Sequence, residues 1–364
     1  MNKENFNGAI NWISSGELKE HYIADTKEKI SDEAAKNLKL LPAGTFVIAI
    51  YGLEADGVRG TGSITKSAST ISQACMAFTS KGKVQNEFLY SWYKKHGNVI
   101  GVRYAQGTKQ QNLSYDIIEK FKIAYPTFQE QEKLNKFIAL LDERIATQNK
   151  VIDKLQSLIK GLNNHLYQQY GNEIETSFSD LGVSYSGLSG KTAADFGSGK
   201  PFITYLNVYS NNVINETSYQ YVRMGGNEKQ NIVRYGDVLF TLSSETPEEV
   251  GVGSVYLGNQ EVYLNSFCFG IHITNTQKVF SAYLSYYIST AQFRKFIYPF
   301  AQGSTRFNLC KADFEKARFK LPSLENQKRI YESLRCLSDK VVAEEAVLKQ
   351  YHSQKQYLLR QMFI

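Results

Sequence analysis

The sequence reads AQGTKQQNLSYDIIEKFKIAYP at residues 105–126 and AQGSTRFNLCKADFEKARFKLP at residues 301–322. The two stretches align without a gap, are identical at eight of 22 positions and are offset by 196 residues. Weaker matches extend upstream, where LLPAGTFVIAI at residues 40–50 parallels VRYGDVLFTL at residues 233–242. This period is far longer than the roughly 20–45 residues of a solenoid repeat, so the sequence predicts two copies of one domain and its connector.

A long helix is predicted directly after each of these stretches. Thr127 and Glu130 have the spacing of a capping box, and Ser323 occupies the equivalent place in the second copy. Gly171 favours the end of the first helix there. About 40 residues at 1.5 Å each correspond to roughly 60 Å, which is longer than one small domain can cover.

Apolar residues recur along both helices at alternating spacings of three and four, which is the pattern of a heptad seam. The two seams match at the same offset of 196 residues, and both are interrupted at one equivalent place, by Gln148 and Glu344. The seam residues are Leu134, Ile138, Leu141, Ile145, Ile152, Leu155, Ile159, Leu162, Leu166, Ile330, Leu334, Leu337, Val341, Leu348, Tyr351, Leu358 and Met362.

Several arrangements would bury these seams. Antiparallel packing of one helix against the other buries both within one chain, and we favour it because the seams match position by position. It would relate the two globular domains by a pseudo-twofold axis. The alternatives are a parallel or intermolecular pairing, and a helix that packs only on its own domain.

The rest of the chain predicts two globular domains of the α+β class. Short β-rich runs such as FVIAIYG from Phe46 and FCFGIHI from Phe267 alternate with helical stretches and glycine-rich loops. Further strands are predicted at DVLFTL and SVYLG, and helices at Phe88–Lys95 and Ala282–Phe296. The predicted organisation is a first domain at 1–126, a helix at 127–171, a second domain at 172–322 and a helix at 323–364.

Composition excludes several classes of protein. The 364 residues are 42% hydrophobic and 21% charged, which is ordinary for a globular chain with two cores, and the net charge of +7 permits an anionic partner. No signal peptide or membrane-spanning run is visible, so we expect a cytoplasmic protein. The four cysteines form no C-x-x-C pair and lie in apolar surroundings, so we expect buried thiols, no disulfide and no metal site.

In this order, the features resemble the specificity subunit of type I restriction-modification systems. The resemblance covers essentially the whole chain, and the order and duplication of its motifs are more specific than any one of them. The motifs are ISSGEL at 13–18, AQGTKQQNL at 105–113, YPTFQEQEKL at 125–134, SGLSGKTAADFGSGKPFITYLNV at 186–208, GDVLFT at 236–241, AQGSTRFNL at 301–309 and LPSLENQKRI at 321–330.

The resemblance implies two target-recognition domains, joined by an antiparallel coiled coil, that each read half of a split double-stranded DNA target. The helices would set the gap between the half-sites and dock modification (methyltransferase) subunits, and restriction subunits would join the complex. S-adenosylmethionine, ATP and magnesium are then expected only in partner subunits, with no cofactor in this chain. No membrane partner is expected.

The first domain departs from the family pattern at its start. SFSDLGVSYSGLSGKT at residues 177–192 opens the second domain, yet nothing equivalent precedes Ile10. The first domain therefore resembles a family domain shortened at its N-terminus. Truncation of the gene and supply of the missing piece by another chain are both open explanations.

DNA contacts are predicted in loops between the β-rich runs, since phosphates need cationic or amide donors and base edges need polar side chains. Ser15, Gly16, Gly303 and Arg306 are favoured further because they lie in motifs of the family. In the first domain the candidates are Arg59, Lys66, Arg103, Lys109 and Gln110. In the second domain they are Lys191, Lys200, Asn207, Ser243, Ser244, Thr305 and Arg306.

No coherent catalytic motif is found. GLSGKT from Gly187 is like a phosphate-binding loop, but Tyr185 stands where that motif requires glycine. No Asn-Pro-Pro-Tyr element, no Pro-Asp pair and no paired-histidine motif is present. We therefore expect a DNA-reading subunit without enzymatic activity; a coiled-coil scaffold that does not bind DNA is the alternative, and a nucleotide-dependent enzyme explains least.

Overall fold

The chain folds into two α+β units whose boundaries fall inside its two long helices. A computed structural model describes residues 6–52, 60–105 and 111–363. Unit 1 comprises Met1–Asn149 and Ala346–Ile364, and unit 2 comprises Lys150–Glu345. Each unit therefore combines one globular domain with part of each long helix.

Unit 1 is built from short strands around one 19-residue helix. Its helices are α1 (Asp32–Lys36), α2 (Asn86–Tyr104), α3 (Tyr115–Ile118), the first part of α4 (Phe128–Tyr170) and the end of α10 (Leu324–Met362). Its strands are β1 (Ile10–Ile13), β2 (Tyr22–Ile23), β3 (Lys29–Ile30), β4 (Phe46–Ala49), β5 (Tyr51–Gly52), β6 (Gly62–Thr65), β7 (Ser69–Ile71), β8 (Cys75–Phe78) and β9 (Gln111–Asn112).

Unit 2 contains more strands and shorter helices. Its strands are β10 (Ile174–Thr176), β11 (Gly182–Ser186), β12 (Phe196–Ile203), β13 (Gln220–Val222), β14 (Val238–Thr241), β15 (Ser243–Ser244), β16 (Gly253–Val255), β17 (Tyr263–Leu264), β18 (Cys268–Ile273), β19 (Ala301–Gln302), β20 (Phe307–Leu309) and β21 (Phe319–Leu321). Its helices are the end of α4, α5 (Phe178–Leu181), α6 (Tyr205–Ser210), α7 (Ser281–Tyr287), α8 (Ala291–Ile297), α9 (Lys311–Lys316) and most of α10.

The two units repeat the same strand pairings. In unit 1, β4 lies antiparallel between β6 and β8, and in unit 2, β14 lies antiparallel between β16 and β18. β1 pairs antiparallel with β3 and parallel with β7, as β12 does with β13 and β17. The internal repeat read from the sequence is therefore a repeat of the fold.

The long helices begin at capping residues that the sequence predicts. The Thr127 backbone N–H donates to Glu130 Oε2 at 3.0 Å, and the Glu130 N–H donates to Thr127 Oγ1 at 3.4 Å. At the second helix the Asn326 N–H donates to Ser323 Oγ at 3.4 Å. These bonds satisfy backbone N–H groups that have no partner inside the first helical turn.

Within each unit, α4 and α10 pack antiparallel. In unit 1, Lys355 Nζ lies 2.5 Å from Asp142 Oδ1, and Met362 lines the same cleft as Leu134. In unit 2, Val341 lines a cleft with Gln156 and Ile159, while residues nearer the start of α10 share a core with the end of α4. Residue numbers thus rise along one helix as they fall along the other.

The predicted seam residues all lie on the covered side of these helices. Each of the 17 is buried or half-buried. Near the domains the seam merges with the globular core, because Ile138 and Leu141 cluster with Phe88 in unit 1, and Ile330 and Leu334 cluster with Tyr283 in unit 2. The helices therefore pack on their own domains as well as on each other.

Two local predictions differ from the structure. The helix predicted over Ala282–Phe296 is divided into α7 and α8, because Thr290 Oγ1 donates to the Tyr287 carbonyl at 2.7 Å and accepts from the Phe293 N–H at 3.1 Å. Cys75 and Cys268 are buried as expected, but Cys310 is half-buried and Cys336 is exposed on α10. Within the described residues, no helix is long and apolar enough to cross a membrane.

Candidate nucleic-acid interface

A hairpin loop in unit 2 carries part of the candidate interface. β20 pairs antiparallel with both β15 and β19, so that Ser243 lies opposite Asn308 and Ala301 opposite Leu309. Gly303 has φ +142°, and a Cβ at this position would lie 2.1 Å from the Arg306 carbonyl oxygen. Glycine is therefore required for the turn that exposes the side chains of Thr305 and Arg306.

This loop, β15 and α6 enclose an open cleft of about 710 Å³. Hydroxyl groups, carboxylates, tyrosine rings and one guanidinium meet in it. The lining residues are Tyr205, Leu206, Tyr209, Ser243, Ser244, Glu245, Glu249, Thr305 and Arg306. Four of the residues predicted from the sequence to contact DNA therefore lie in one place.

Helix α6 positions the aromatic wall of the cleft. It begins at Thr204, whose hydroxyl accepts from the Asn207 N–H at 3.2 Å. The Tyr205 hydroxyl donates to the Ser243 carbonyl at 2.8 Å, which fixes the helix against β15. Burial raises the pKa of Tyr205, so this hydroxyl remains a donor. Leu206 is 69% exposed beside it and offers an apolar contact.

The charged groups of the cleft differ in whether they form hydrogen bonds with the rest of the protein. Hydrogen bonds from Tyr209 and then Ser244 lower the pKa of Glu249, so its carboxylate is held in place and ionised. The Ser244 hydroxyl donates to Glu249 Oε2 at 3.1 Å. Arg306 is exposed and forms neither an ion pair nor a hydrogen bond with the part of the chain that the structure describes. Its guanidinium is therefore available to a ligand.

This arrangement suits the edges of DNA bases. A guanidinium can donate to guanine, a carboxylate can accept from cytosine, and hydroxyl groups can serve either role. An exposed leucine such as Leu206 can contact the methyl group of thymine. The cleft therefore offers both hydrogen-bond donors and hydrogen-bond acceptors to a ligand.

The other three predicted residues of unit 2 lie outside this cleft. Lys191 Nζ donates to Glu228 Oε2 at 2.5 Å and to the Arg223 carbonyl at 2.6 Å. Asn207 is buried and bonded to the backbone of Asn215 through both side-chain atoms. Because their polar atoms form hydrogen bonds inside the protein, the structure gives both residues a structural role, and their contact with DNA stays a prediction. Lys200 is exposed on β12.

In unit 1, Arg59, Lys109 and Gln110 lie outside the described residues. Arg103 is exposed in the last turn of α2, two residues before Ala105, where the repeated motif begins. Lys66 is exposed, with Nζ 5.3 Å from the centre of the Tyr22 ring.

Strand pairing separates Lys66 from the counterpart of the cleft. Lys66 follows β6, beside the start of β4, whereas β5 and its partner β9 lie beyond the end of β4. β5–β9 is the counterpart of β15–β20. Lys66 is therefore at the opposite end of the sheet from that pair, which argues against a shared DNA contact. The 3₁₀ turn at Ser15–Glu17 follows β1 as α6 follows β12. This turn is therefore the counterpart of the helix that lines the cleft of unit 2.

Sequence analysis missed the residues that α6 and the loop after β15 bring to the cleft. Tyr205 and Tyr209 are one helical turn apart, and their rings stack with centroids 6.0 Å apart. Glu245 and Glu249 follow the predicted serines within a few residues. The two tyrosines could have been predicted from the sequence, because they are spaced by one helical turn. The carboxylates could not, because the path of the loop determines which of them reach the cleft.

Comparison with known proteins identifies relatives of both copies. A sequence profile described as the type I restriction modification DNA specificity domain matches residues 1–157 and 190–350. The type I restriction enzyme MjaIX specificity subunit of Methanocaldococcus jannaschii is 26% identical over 162 residues, which cover 42% of this chain. The match covers 36% of that protein, so it spans little more than a third of the curated relative.

Two solved structures share the fold over nearly the whole chain. The type I restriction-modification S subunit from M. genitalium has a TM-score of 0.53 at 13% identity, covering 100% of this chain and 91% of that chain. A structure described as the basis of complex assembly and conformational transition of the type I R-M system has a TM-score of 0.61 at 16% identity. It covers 97% of this chain and 90% of that chain. At these identities the likeness concerns the fold.

Proposed function

Because this chain belongs to the family of type I restriction modification DNA specificity domains, we propose that it is the DNA-reading subunit of such a system. Each unit would read one half of a split target in double-stranded DNA. The observation that carries the proposal is the cleft of unit 2, where Thr305 and an unpaired Arg306 face Ser243 and Ser244. Methylation and cleavage would be performed by partner subunits.

The long helices support the proposed assembly with those partners. Although their seams are covered, both helices also carry large apolar residues on exposed positions, and a partner that covers them would gain hydrophobic contacts. In unit 1 these are Phe128, Phe137, Leu140 and Tyr357, and in unit 2 they are Val151, Leu158 and Val342. We assign these surfaces to modification subunits. S-adenosylmethionine, ATP and magnesium would be bound by the partners and not by this chain.

Substitution of Arg306 tests the reader function. The chain is produced with its modification subunit, the methylated target is mapped, and affinity for that target is measured across salt concentrations. Arg306→Ala should weaken binding by roughly fivefold to a hundredfold, because a specific arginine contact contributes about 1–3 kcal/mol to the binding free energy. Arg329→Ala, which removes the same charge from an exposed position on α10, is the matched control and should have little effect.

The dependence on salt separates two roles of Arg306. Loss of a phosphate contact should weaken binding to all sequences and reduce the salt slope by about 0.9. Loss of a base contact should relax the target at one position and leave binding to other sequences unchanged. Equal affinities of the Arg306→Ala and Arg329→Ala variants would refute the cleft as the reading site.

A further inference from the structure

Unit 2 contains a strand–turn–strand segment, residues 174–186, for which the described residues of unit 1 hold no counterpart. Its first strand, β10, pairs with β21, so that Ile174 lies opposite Leu321 and Thr176 opposite Phe319. The short helix α5 then inserts Phe178 and Leu181 into the core. β11 follows and pairs with the outer edge of β18 over five residues.

The two apolar side chains of this segment are central to unit 2. Phe178 and Leu181 are both 0% exposed. The Phe178 ring lies 4.8 Å from that of Phe319 and 5.0 Å from that of Phe314, measured between ring centres. Burial of two such side chains is a large hydrophobic contribution to the stability of unit 2. The segment is therefore part of the core.

In unit 1, no segment among the described residues covers the equivalent surfaces. β8 is the counterpart of β18, since Phe46 pairs with Phe78 in the register in which Val238 pairs with Ile271. β18 has β11 on its other side, whereas no described strand pairs with the outer edge of β8. A sheet edge left open in this way is a template for pairing with another chain.

The counterpart of β21 is also uncovered. Residues 123–125 correspond to Phe319–Leu321 at the offset of 196, yet they form no strand in unit 1. Tyr125 is 46% exposed, whereas its counterpart Leu321 is 0% exposed. Leu321 is buried because β10 covers β21 in unit 2, whereas the described part of unit 1 has no strand equivalent to β10.

Two apolar clefts adjoin this stretch in unit 1. One, of about 480 Å³, is lined by Phe88, Ala124, Tyr125, Leu134 and Met362, among others. The other, of about 350 Å³, is lined by apolar residues that include Phe78, Leu89 and Ile123, and by Lys81 and Lys83. In unit 2, the counterparts of Leu89 and Ile123 are Leu284 and Phe319, which belong to the core around Phe178 and Leu181.

We propose that these surfaces of unit 1 bind a strand–turn–strand peptide segment like the one that covers their counterparts in unit 2. The segment would have the chemistry of residues 173–186: an extended strand, two large apolar residues three positions apart, and a second strand. The unit 2 version is acidic before its second strand, with Glu173, Glu175 and Asp180 and no basic residue, which complements Lys81 and Lys83 in the cleft. A second copy of this chain is a poor donor, because its own segment is buried in its unit 2.

Binding of a peptide tests the proposal. The probe is a labelled synthetic peptide with the sequence of residues 172–186, titrated against the full-length chain and followed by fluorescence anisotropy. We expect saturable binding and a rise in the thermal midpoint of the protein. A peptide carrying Phe178→Asp and Leu181→Asp should bind roughly tenfold more weakly or worse, because the apolar anchors carry the interaction.

Two variants of unit 1 locate the binding site. Ile123→Pro removes a backbone N–H at the position whose counterpart, Phe319, pairs with Thr176 in unit 2. Tyr125→Asp places a charge in the apolar cleft, at an exposed position where the fold should tolerate it. Both should weaken peptide binding and leave the circular dichroism spectrum of the free protein unchanged.

Three results would overturn the proposal: no saturable binding, equal binding of the two peptides, or full affinity in both protein variants. Concentration-dependent dimerisation that the peptide does not reverse would assign the surface to a second copy instead. None of these measurements involves DNA, so the outcome is independent of the proposed function.

Discussion

Two buried glutamines perform the same structural task in the two units. Gln327 Oε1 accepts from the Phe280 N–H at 2.8 Å, and its Nε2 donates to the carbonyls of Lys278 and Pro322. Gln131, which is offset by the repeat period of 196 residues, makes the equivalent bonds around Gln85. Both side chains are 0% exposed. Each glutamine therefore joins the start of a long helix to the strand-to-helix loop of its domain.

Lys191 and Glu228 form the residue-scale contact with the clearest dependence on pH. The hydrogen bond from Lys191, helped by the backbone N–H of Gly225, lowers the pKa of Glu228 from 4.5 to about 2. Because folding lowers this pKa, the ionised carboxylate stabilises the fold above pH 4.5, and the contribution is lost as the pH falls towards 2. Lys191→Met should raise the pKa of Glu228, as NMR titration of its carboxyl group would show.

The same variant distinguishes a structural lysine from a DNA contact. If Lys191 acts only on Glu228, Lys191→Met should leave the salt dependence of DNA binding unchanged. A slope reduced by about 0.9 would instead mean that Lys191 neutralises a phosphate. An unshifted Glu228 pKa in the variant would contradict the role assigned to the ion pair.

At the scale of elements, the sequence predicts helices better than strands or clefts. The helices predicted at 127–171 and 323–364 are observed at Phe128–Tyr170 and Leu324–Met362, because a heptad period and a capping residue are both local signals. The strands are only two to eight residues long, and their partners are set by contacts distant in sequence. Asn207 shows why site residues are harder to predict than helices. It was predicted to contact DNA, but the path of residues 211–215 brings the Asn215 backbone to its side chain, which therefore points inward.

Packing of the long helices should depend on their covered faces. Leu334 on α10 is 0% exposed in the core of unit 2, whereas Leu158 on α4 is 53% exposed in the same unit. Leu334→Ala should lower the free energy of unfolding by about 2–5 kcal/mol, because it removes buried methyl groups and leaves a cavity. Leu158→Ala removes the same atoms from an exposed position and should change it by about 0.5 kcal/mol or less.

Chemical denaturation followed by circular dichroism would measure both values. Similar losses in the two variants would mean that the exposed face of α4 is covered in solution. A negligible loss for Leu334→Ala would contradict the packing of α10 on its domain.

At the scale of the molecule, duplication provides two copies of one domain, one for each half-site of the proposed target. The residues that are identical in the two copies include Gly303 and Gln327, which each have a specific geometric task. Elsewhere the copies retain the strand pairings while their side chains differ, since many apolar residues can fill the same core. Loops that vary on a constant frame can acquire different base preferences, which a split target requires.

The length of the helices should set the gap between the half-sites. Four residues inserted after Asn149 and four after Glu345, which are exposed and equivalent in the repeat, would add about 6 Å to each helix. This is close to two base-pair steps of about 3.4 Å. Mapping of methylated positions in cells that carry the variant with its modification subunit should show both half-sites unchanged and the unread spacer about two base pairs longer. Insertion of two residues at each place is the control, because it turns the seam by roughly 200° and should abolish methylation. An unchanged spacer, or altered half-sites, would show that these helices do not fix the distance between the reading sites.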